Sequence, residues 1–277
     1  MDKLYFTTAG IPLSSSPNSY EGGFSRLNEL GLDGLELEFV RGVRISEKSA
    51  KTVLENSNKF VITAHAPFYI NLNSKEPEKV ENSIKYITDT AKAANEVGAY
   101  SITYHAAYYM GDAKEKTYEA VYKANEKIGE YLEQNNINIW IRPETTGKAT
   151  QWGDLEEIVK LSKEFNFVLP CVDFSHLHAR YVGTMNTYDE FAKIFEYIGE
   201  QLGEDALQNF HAHLAGIEYS DKGERKHLML NESDMNYKDL MKAFYDYKIK
   251  GVIVCESPIM EDDAVLLKKY YNDLFVK

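Results

Sequence analysis

The sequence predicts an α/β protein in which strand–helix units close into a single (β/α)8 barrel spanning residues 1–277. Three observations carry that expectation. Short β-branched or aromatic runs alternate with longer segments of helical period about eight times along the chain. The length, 277 residues, is close to the roughly 250 that such barrels use as one domain. Side chains able to bind metal close six of the strand-like runs instead of gathering after one of them. Strict alternation implies a parallel sheet, because each crossover helix returns the chain to the same edge. An open doubly wound sheet would alternate too. It is disfavoured because no G-x-G-x-x-G follows the first strand and the candidate residues are not confined to one switch point.

In order, L-Y-F-T-T-A-G near the start reads as the first strand and residues 20–31 as its helix. G-L-E-L-E-F-V at 34–40 is the second strand, followed by a helix opening at Ser46 with charged residues on its outer face. F-V-I-T-A-H at 60–65 is the third; its helix covers about 76–97, with Val80, Ile84 and Ile87 on an apolar stripe that Leu72 begins. Y-S-I-T-Y-H at 100–105 is the fourth strand, with a helix over 114–133, and I-N-I-W-I-R-P-E at 137–144 the fifth, with a helix over 154–165. F-V-L-P-C-V-D at 167–173 is the sixth and precedes a helix at 189–202. N-F-H-A-H-L at 209–214 is the seventh, before a helix at 236–247, and G-V-I-V-C-E at 251–256 the eighth, before a helix at 262–274. No Pro/Ser-rich linker separates any two units.

Composition narrows the function. Hydrophobic residues are 44% and charged residues 27%, enough for a large core and inconsistent with global disorder. No apolar run approaches the roughly 20 residues of a membrane helix, and MDKLYFTTAG lacks the basic-then-apolar build of a signal peptide, so a cytoplasmic protein without membrane association is expected. A monomer is expected. Cys171 and Cys255 lie in V-L-P-C-V-D and V-I-V-C-E, which suits buried thiols better than a disulfide. The net charge of -12 opposes non-specific adhesion to nucleic acid. It leaves room for a local cationic groove, or for metal ions supplying the positive charge.

The six strand-end residues are His65, His105, Glu144, Asp173, His213 and Glu256. Each alone has an ordinary structural explanation, such as Asp173 starting a turn. In a barrel they converge, and three imidazoles with three carboxylates in one volume lose solvation and repel unless a cation neutralises them. Borderline divalent metals, zinc first, accept mixed nitrogen and oxygen ligands; manganese is the alternative. Six ligands exceed what one catalytic zinc uses, so at least two ions are implied, with Glu144 the expected bridging carboxylate. His176, three residues after Asp173, turns toward the same pocket if a helical turn begins there. His227, in the polar loop G-E-R-K-H-L, would join it at a third ion. His178 and His211 rank lower: His211 shares a strand face with His213 and lies deeper, where packing or outer-shell support is expected. Neither a P-loop nor a paired nucleophile is present.

At these residues the sequence resembles the endonuclease IV family of apurinic/apyrimidinic endonucleases, among the xylose isomerase-like TIM barrels, over nearly the whole chain. The likeness rests on H-A-P-F-Y-I-N-L at 65–72, His105 after the fourth strand, Glu144 in P-E-T-T-G-K-A-T-Q-W-G, Asp173 and His176 in D-x-x-H, His213-Leu214, and Glu256-Ser257-Pro258. The resemblance implies one zinc on His65, His105 and Glu144 and a second on Glu144, Asp173, His213 and Glu256. Glu144 and Glu256 are then the carboxylates at the reaction centre. The family's third zinc uses a D-R-H triplet and the histidine of D-x-x-H. Here the triplet position reads Arg225-Lys226-His227, with arginine in place of aspartate and Glu224 one residue out of register. That site is formed differently, through Glu224 or water, or is absent.

The implied activity is hydrolysis of double-stranded DNA on the 5′ side of an abasic site. Phe68 and Tyr69 match the side chains that family members insert into the duplex, and Arg41 and Arg44 are candidate phosphate or gap-filling contacts. Two other functions use the same barrel: a metal-dependent sugar isomerase or epimerase, for which Glu144, Asp173, Glu256 and a histidine suffice, and a non-catalytic nucleic-acid or metal-binding barrel.

Overall fold

Alternating apolar positions and caps at expected places give each unit of the chain its strands and helices. The computed structural model describes residues 1–276, and its contacts fall into two compact units, Met1–Leu35 with Val172 onward, and Glu36–Cys171. The strands are β1 (Leu4–Ala9), β2 (Gly34–Glu38), β3 (Val61–His65), β4 (Ser101–Tyr104), β5 (Trp140–Pro143), β6 (Val172–Asp173), β7 (Phe210–Leu214) and β8 (Gly251–Cys255). The helices are α1 (Tyr20–Leu30), α2 (Glu47–Asn56), α3 (Pro77–Glu96), α4 (Lys114–Gln134), α5 (Leu155–Ser162), α6 (Phe174–Arg180), α7 (Tyr188–Leu202), α8 (Glu204–Leu207), α9 (Tyr237–Asp246) and α10 (Met260–Asp273).

In the second unit β3, β4 and β5 pair in parallel, His65 opposite Thr103 and Tyr104 opposite Pro143. The ladder continues past the strand ends: the Ala66 amide donates to the Thr103 carbonyl at 2.9 Å, and that of Glu144 to the Tyr104 carbonyl at 3.0 Å. In the first unit β8 lies between β1 and β7, all parallel, with Leu4 opposite Gly251 and Val254 opposite His213. Gly251 opens β8 at φ 144°, and a Cβ there would stand 2.0 Å from the Phe210 carbonyl oxygen, so only glycine fits. β6 then pairs with β7, Asp173 opposite His213.

The sixth strand is shorter than the apolar run 167–173 suggests. Val172–Asp173 alone forms a ladder, while Val168 and Cys171 make isolated bridges to Ile141 and Glu144. Between them Leu169 and Cys171 donate to the Ile141 and Pro143 carbonyls, but Pro143, lacking an N–H, cannot return a bond to Leu169, so the ladder is broken there. The fifth strand is likewise trimmed to Trp140–Pro143 and the second to Gly34–Glu38. Two antiparallel additions have no counterpart in the alternation: Ala107–Tyr108 with Gln151–Trp152, and a hairpin of Gly216–Ser220 with Gly223–Leu228. His227 therefore sits on a hairpin strand and not in an irregular loop.

Helix starts follow the sequence closely. Ser19 and Ser46 cap α1 and α2, accepting from the amides of Gly22 and Ser49. Asp154 with Glu157 and Thr187 with Glu190 form capping boxes at α5 and α7. α6 begins directly at Asp173 and is fixed by aromatic packing: buried Phe174 meets Phe191, Phe195, Phe210 and Phe244 with ring centroids 5.7–6.4 Å apart. Both cysteines are buried free thiols, and burial pushes the Cys255 thiol up. Among the described residues no helix is long and apolar enough to cross a membrane.

Candidate functional site

Each unit gathers its share of the strand-end residues at the C-terminal rim of its strands. In the second unit His65 is the last residue of β3, and His105 and Glu144 each follow the end of a strand. Because parallel neighbours are in register there, the three side chains leave adjacent backbones. The His65 Nε2 lies 3.2 Å from Glu144 Oε2 and the His105 Nε2 3.7 Å from the same oxygen. One ligand atom from each of the three lies within 4.8 Å of the others.

His65 is oriented from behind: its Nδ1 is 2.7 Å from the Ala66 carbonyl oxygen, so the N–H donates there and Nε2 faces Glu144. The corner favours positive charge. Burial alone would lower the His65 pKa, but the hydrogen bond and charge of Glu144, with Glu38 and Glu36, push it up to about 10. A proton or a metal cation answers the same field. Glu36 is itself buried and accepts from the Thr63 hydroxyl at 2.7 Å. Sequence reading missed Glu36 and Glu38, although glutamate at every second position of an otherwise apolar strand marks one face as polar.

The loop after β3 is built by asparagines. Asn71 Oδ1 accepts from the amides of Asn73 and Tyr108, and Asn73 donates to the carbonyls of Tyr108 and Tyr109. This folds I-N-L-N back on the β4 loop and leaves Phe68 and Tyr69 outside, 53% and 56% exposed, their rings 4.2 Å apart. Arg41 and Arg44 are exposed in the segment between β2 and α2.

In the first unit Asp173 and His213 face each other across the ladder, and Glu256 follows β8 with its amide bound to the Leu214 carbonyl at 3.0 Å. His213 Nδ1 is 3.3 Å from Glu256 Oε1, and Asp173, His213 and Glu256 each offer a ligand atom within 4.8 Å of the others. Asp173 also caps α6: its Oδ1 accepts the His176 amide at 2.7 Å, while its Oδ2 lies 3.3 Å from His176 Nδ1. The helical turn expected at D-x-x-H is thus made, and it delivers His176 toward His227, whose Nε2 is 3.5 Å from that of His176. Asp173, His176 and His227 form a further group of possible ligands. His211 packs against His213 at 5.1 Å between ring centroids, and His178 is held by Thr184 and Asp234 away from these groups.

Mixed imidazole and carboxylate donors at these spacings fit a zinc-type or manganese-type cation, since a four-coordinate ion with bonds of about 2.0–2.1 Å spans ligand atoms roughly 3.3 Å apart. A family model described as a xylose isomerase-like TIM barrel matches residues 24–270. An uncharacterized protein of Methanocaldococcus jannaschii is 47% identical over 271 residues, 98% of either chain. A probable endonuclease 4 of Mycoplasma pneumoniae is 28% identical over 223 residues, covering 78% of this chain and 75% of its own. Among solved structures, a D-tagatose 3-epimerase-like protein superposes with TM-score 0.75 at 19% identity, covering 98% of this chain and 99% of that one. Endonuclease IV from Thermus thermophilus does so with TM-score 0.71 at 17% identity, with 98% and 99% covered. The fold is the (β/α)8 barrel that the alternation predicts.

Proposed function

The chain belongs to the xylose isomerase-like TIM barrel family, and from that premise we propose that it is a divalent-metal phosphodiesterase cleaving DNA 5′ to abasic sites. The observation that supports this reading is the surplus of imidazoles. A sugar site needs two glutamates, an aspartate and one histidine, whereas this chain adds His65 and His105 beside Glu144, and His176 and His227 beside Asp173.

In this reading His65, His105 and Glu144 hold one ion, and Asp173, His213 and Glu256 take part in holding another. When bound, such ions supply a water acidified toward a pKa of about 7 and positive charge for the phosphate oxygens. The protein's own contribution is placement. The Ala66 carbonyl aims His65, and the α6 cap fixes Asp173. Phe68 and Tyr69 are positioned to enter the duplex, where unstacking costs a few kcal/mol and least at a missing base. Arg41 and Arg44 contact phosphate.

The test is a duplex carrying one abasic site, incubated with zinc-replete or manganese-replete protein before and after chelation. A chelator-sensitive nick leaving a 3′ hydroxyl is expected. Neither nicking nor tighter binding than to intact DNA would refute the reading. A sugar epimerase is the second reading, favoured by the net charge of -12, which repels a polyanion and is indifferent to a neutral ketose. Ketohexose epimerisation without nicking would establish it.

A further inference from the structure

The strands of the first unit begin around a second cavity, at the end opposite to Asp173, His213 and Glu256. β1 starts at Leu4 and β8 at Gly251, whose amide donates to the Lys3 carbonyl at 3.0 Å. A cavity of about 600 Å³ lies there, lined by the start of β1, the end of α9, the segment leading into β8, and α10 with the turn after it. Small-molecule sites typically occupy about 300–1,000 Å³. This end of a parallel barrel ordinarily serves stability alone.

The wall is aromatic. Phe6, Tyr245, Tyr271 and Phe275 line it. Tyr245 meets Phe275 with ring centroids 4.7 Å apart at 86°, and Tyr271 meets Phe275 at 5.4 Å and 75°. Rings set edge to face in this way accept a further ring in the same or an offset geometry. Phe275 is 62% exposed, so an occupant also takes apolar surface out of water.

The charge is opposite to that of the chain. Four lysines line the cavity against two aspartates, although the net charge is -12. Asp246 is answered by Lys242 at 3.2 Å and the Tyr188 hydroxyl at 2.8 Å, and Asp2 by the Tyr5 hydroxyl. Lys3 and Lys268 share Asp33, at 2.9 and 2.7 Å. Lys248 and Lys250 have no ion-pair partner among the described residues. Lys248 moreover stands at φ 52°, the left-handed position after α9 where glycine is usual and a Cβ is costly. Its side chain does not close that turn. The amides of Lys248 and Ile249 do, donating to the Tyr245 and Phe244 carbonyls at 3.1 and 3.0 Å.

We propose that this cavity binds a small aromatic anion, its ring among Tyr245, Tyr271 and Phe275 and its acidic group at Lys248 and Lys250. The proposal is independent of the reaction at the other end of the strands.

The experiment is isothermal titration calorimetry of the full chain with 2-naphthoate, with 2-naphthamide as its uncharged counterpart and decanoate as its aliphatic one. One site per chain is expected, holding 2-naphthoate at least about tenfold more tightly than either, with the same affinity in zinc and in chelator. Lys248→Gly combined with Lys250→Gln should weaken 2-naphthoate at least about tenfold, as two charge-assisted bonds of about threefold each multiply to that. Binding of 2-naphthamide should not change. Glycine suits the left-handed backbone, so this variant keeps the fold, checked by a thermal midpoint no lower than wild type. Phe275→Ala should weaken both aromatic probes alike, and Phe68→Ala with Tyr69→Ala neither. Absence of saturable 2-naphthoate binding, equal affinity for 2-naphthamide, a preference for decanoate, or unchanged affinity in the lysine variant would each overturn the proposal. Loss of binding in chelator or in the Phe68/Tyr69 variant would do so too, by placing the anion at the other end of the strands.

Discussion

Asp173 has two duties that a pair of substitutions should separate. One oxygen accepts the buried His176 amide at 2.7 Å as the cap of α6, and the carboxylate lies among His213, Glu256 and His176. Asparagine caps a helix about as well as aspartate, so Asp173→Asn keeps the helix start; Asp173→Ala removes it and costs about 0.5–2 kcal/mol. With the His176 amide left buried and unpaired the cost rises toward about 3 kcal/mol. In chelator, then, Asp173→Asn should unfold near the wild-type urea midpoint and Asp173→Ala clearly below it. Added zinc separates Asp173→Asn from wild type. At a free concentration of about 100 Kd an ion stabilises wild type by about 2.7 kcal/mol, whereas a Kd raised about 100-fold leaves about 0.4 kcal/mol for Asp173→Asn. The assay is urea denaturation followed by circular dichroism, with zinc and with chelator. If Asp173→Asn loses as much stability as Asp173→Ala in chelator, or gains as much as wild type from zinc, the division of labour is wrong.

Replacing Phe68 and Tyr69 together by alanine should leave metal content unchanged and stability within about 0.5 kcal/mol, because both are mostly exposed. Gel-shift affinity for an abasic duplex should fall while that for intact DNA does not. Arg41→Ala and Arg44→Ala should each lower the slope of log affinity against log salt by about 0.9 if they meet phosphate. Glu190 is held below its usual 4.5 by hydrogen bonds from the Asn186 amide and the Thr187 hydroxyl, against the opposing effect of burial. A lowered carboxyl pKa stabilises above that value and loses its contribution as pH falls through the folded pKa. Glu190→Gln keeps a capping-box acceptor but loses the charge, so it should be slightly less stable than wild type at pH 7, the difference vanishing as pH falls from 4.5 through the lowered folded pKa in thermal melts.

The alternation of elements and the residue at each strand end were legible because both are local. A parallel strand places its last side chain at the same rim as its neighbours, so the six strand-end residues could be picked out from position alone, whereas grouping His65, His105 and Glu144 at one ion rested on the family resemblance. The sixth strand was overread because apolar character at 167–173 says nothing about its neighbour, where Pro143 has no N–H to offer the ladder. The bulge in the hairpin, where Tyr219 pairs with Glu224 but Glu218 with Lys226, was illegible for another reason: register is a property of two strands, and G-E-R-K-H gives no sign that Arg225 will be squeezed out.

The pairing of β1 with β8 has a consequence for synthesis. Leu4 must wait for Gly251, and at about 5–20 residues per second that partner is made roughly 12–50 s later. The contiguous segment Glu36–Cys171 emerges whole in the meantime and can order first. Until the last strand arrives, the amino-terminal one keeps a row of backbone N–H and C=O groups without their final partners, a template for pairing with another chain. A stop codon before residue 251 should yield a product recovered in inclusion bodies.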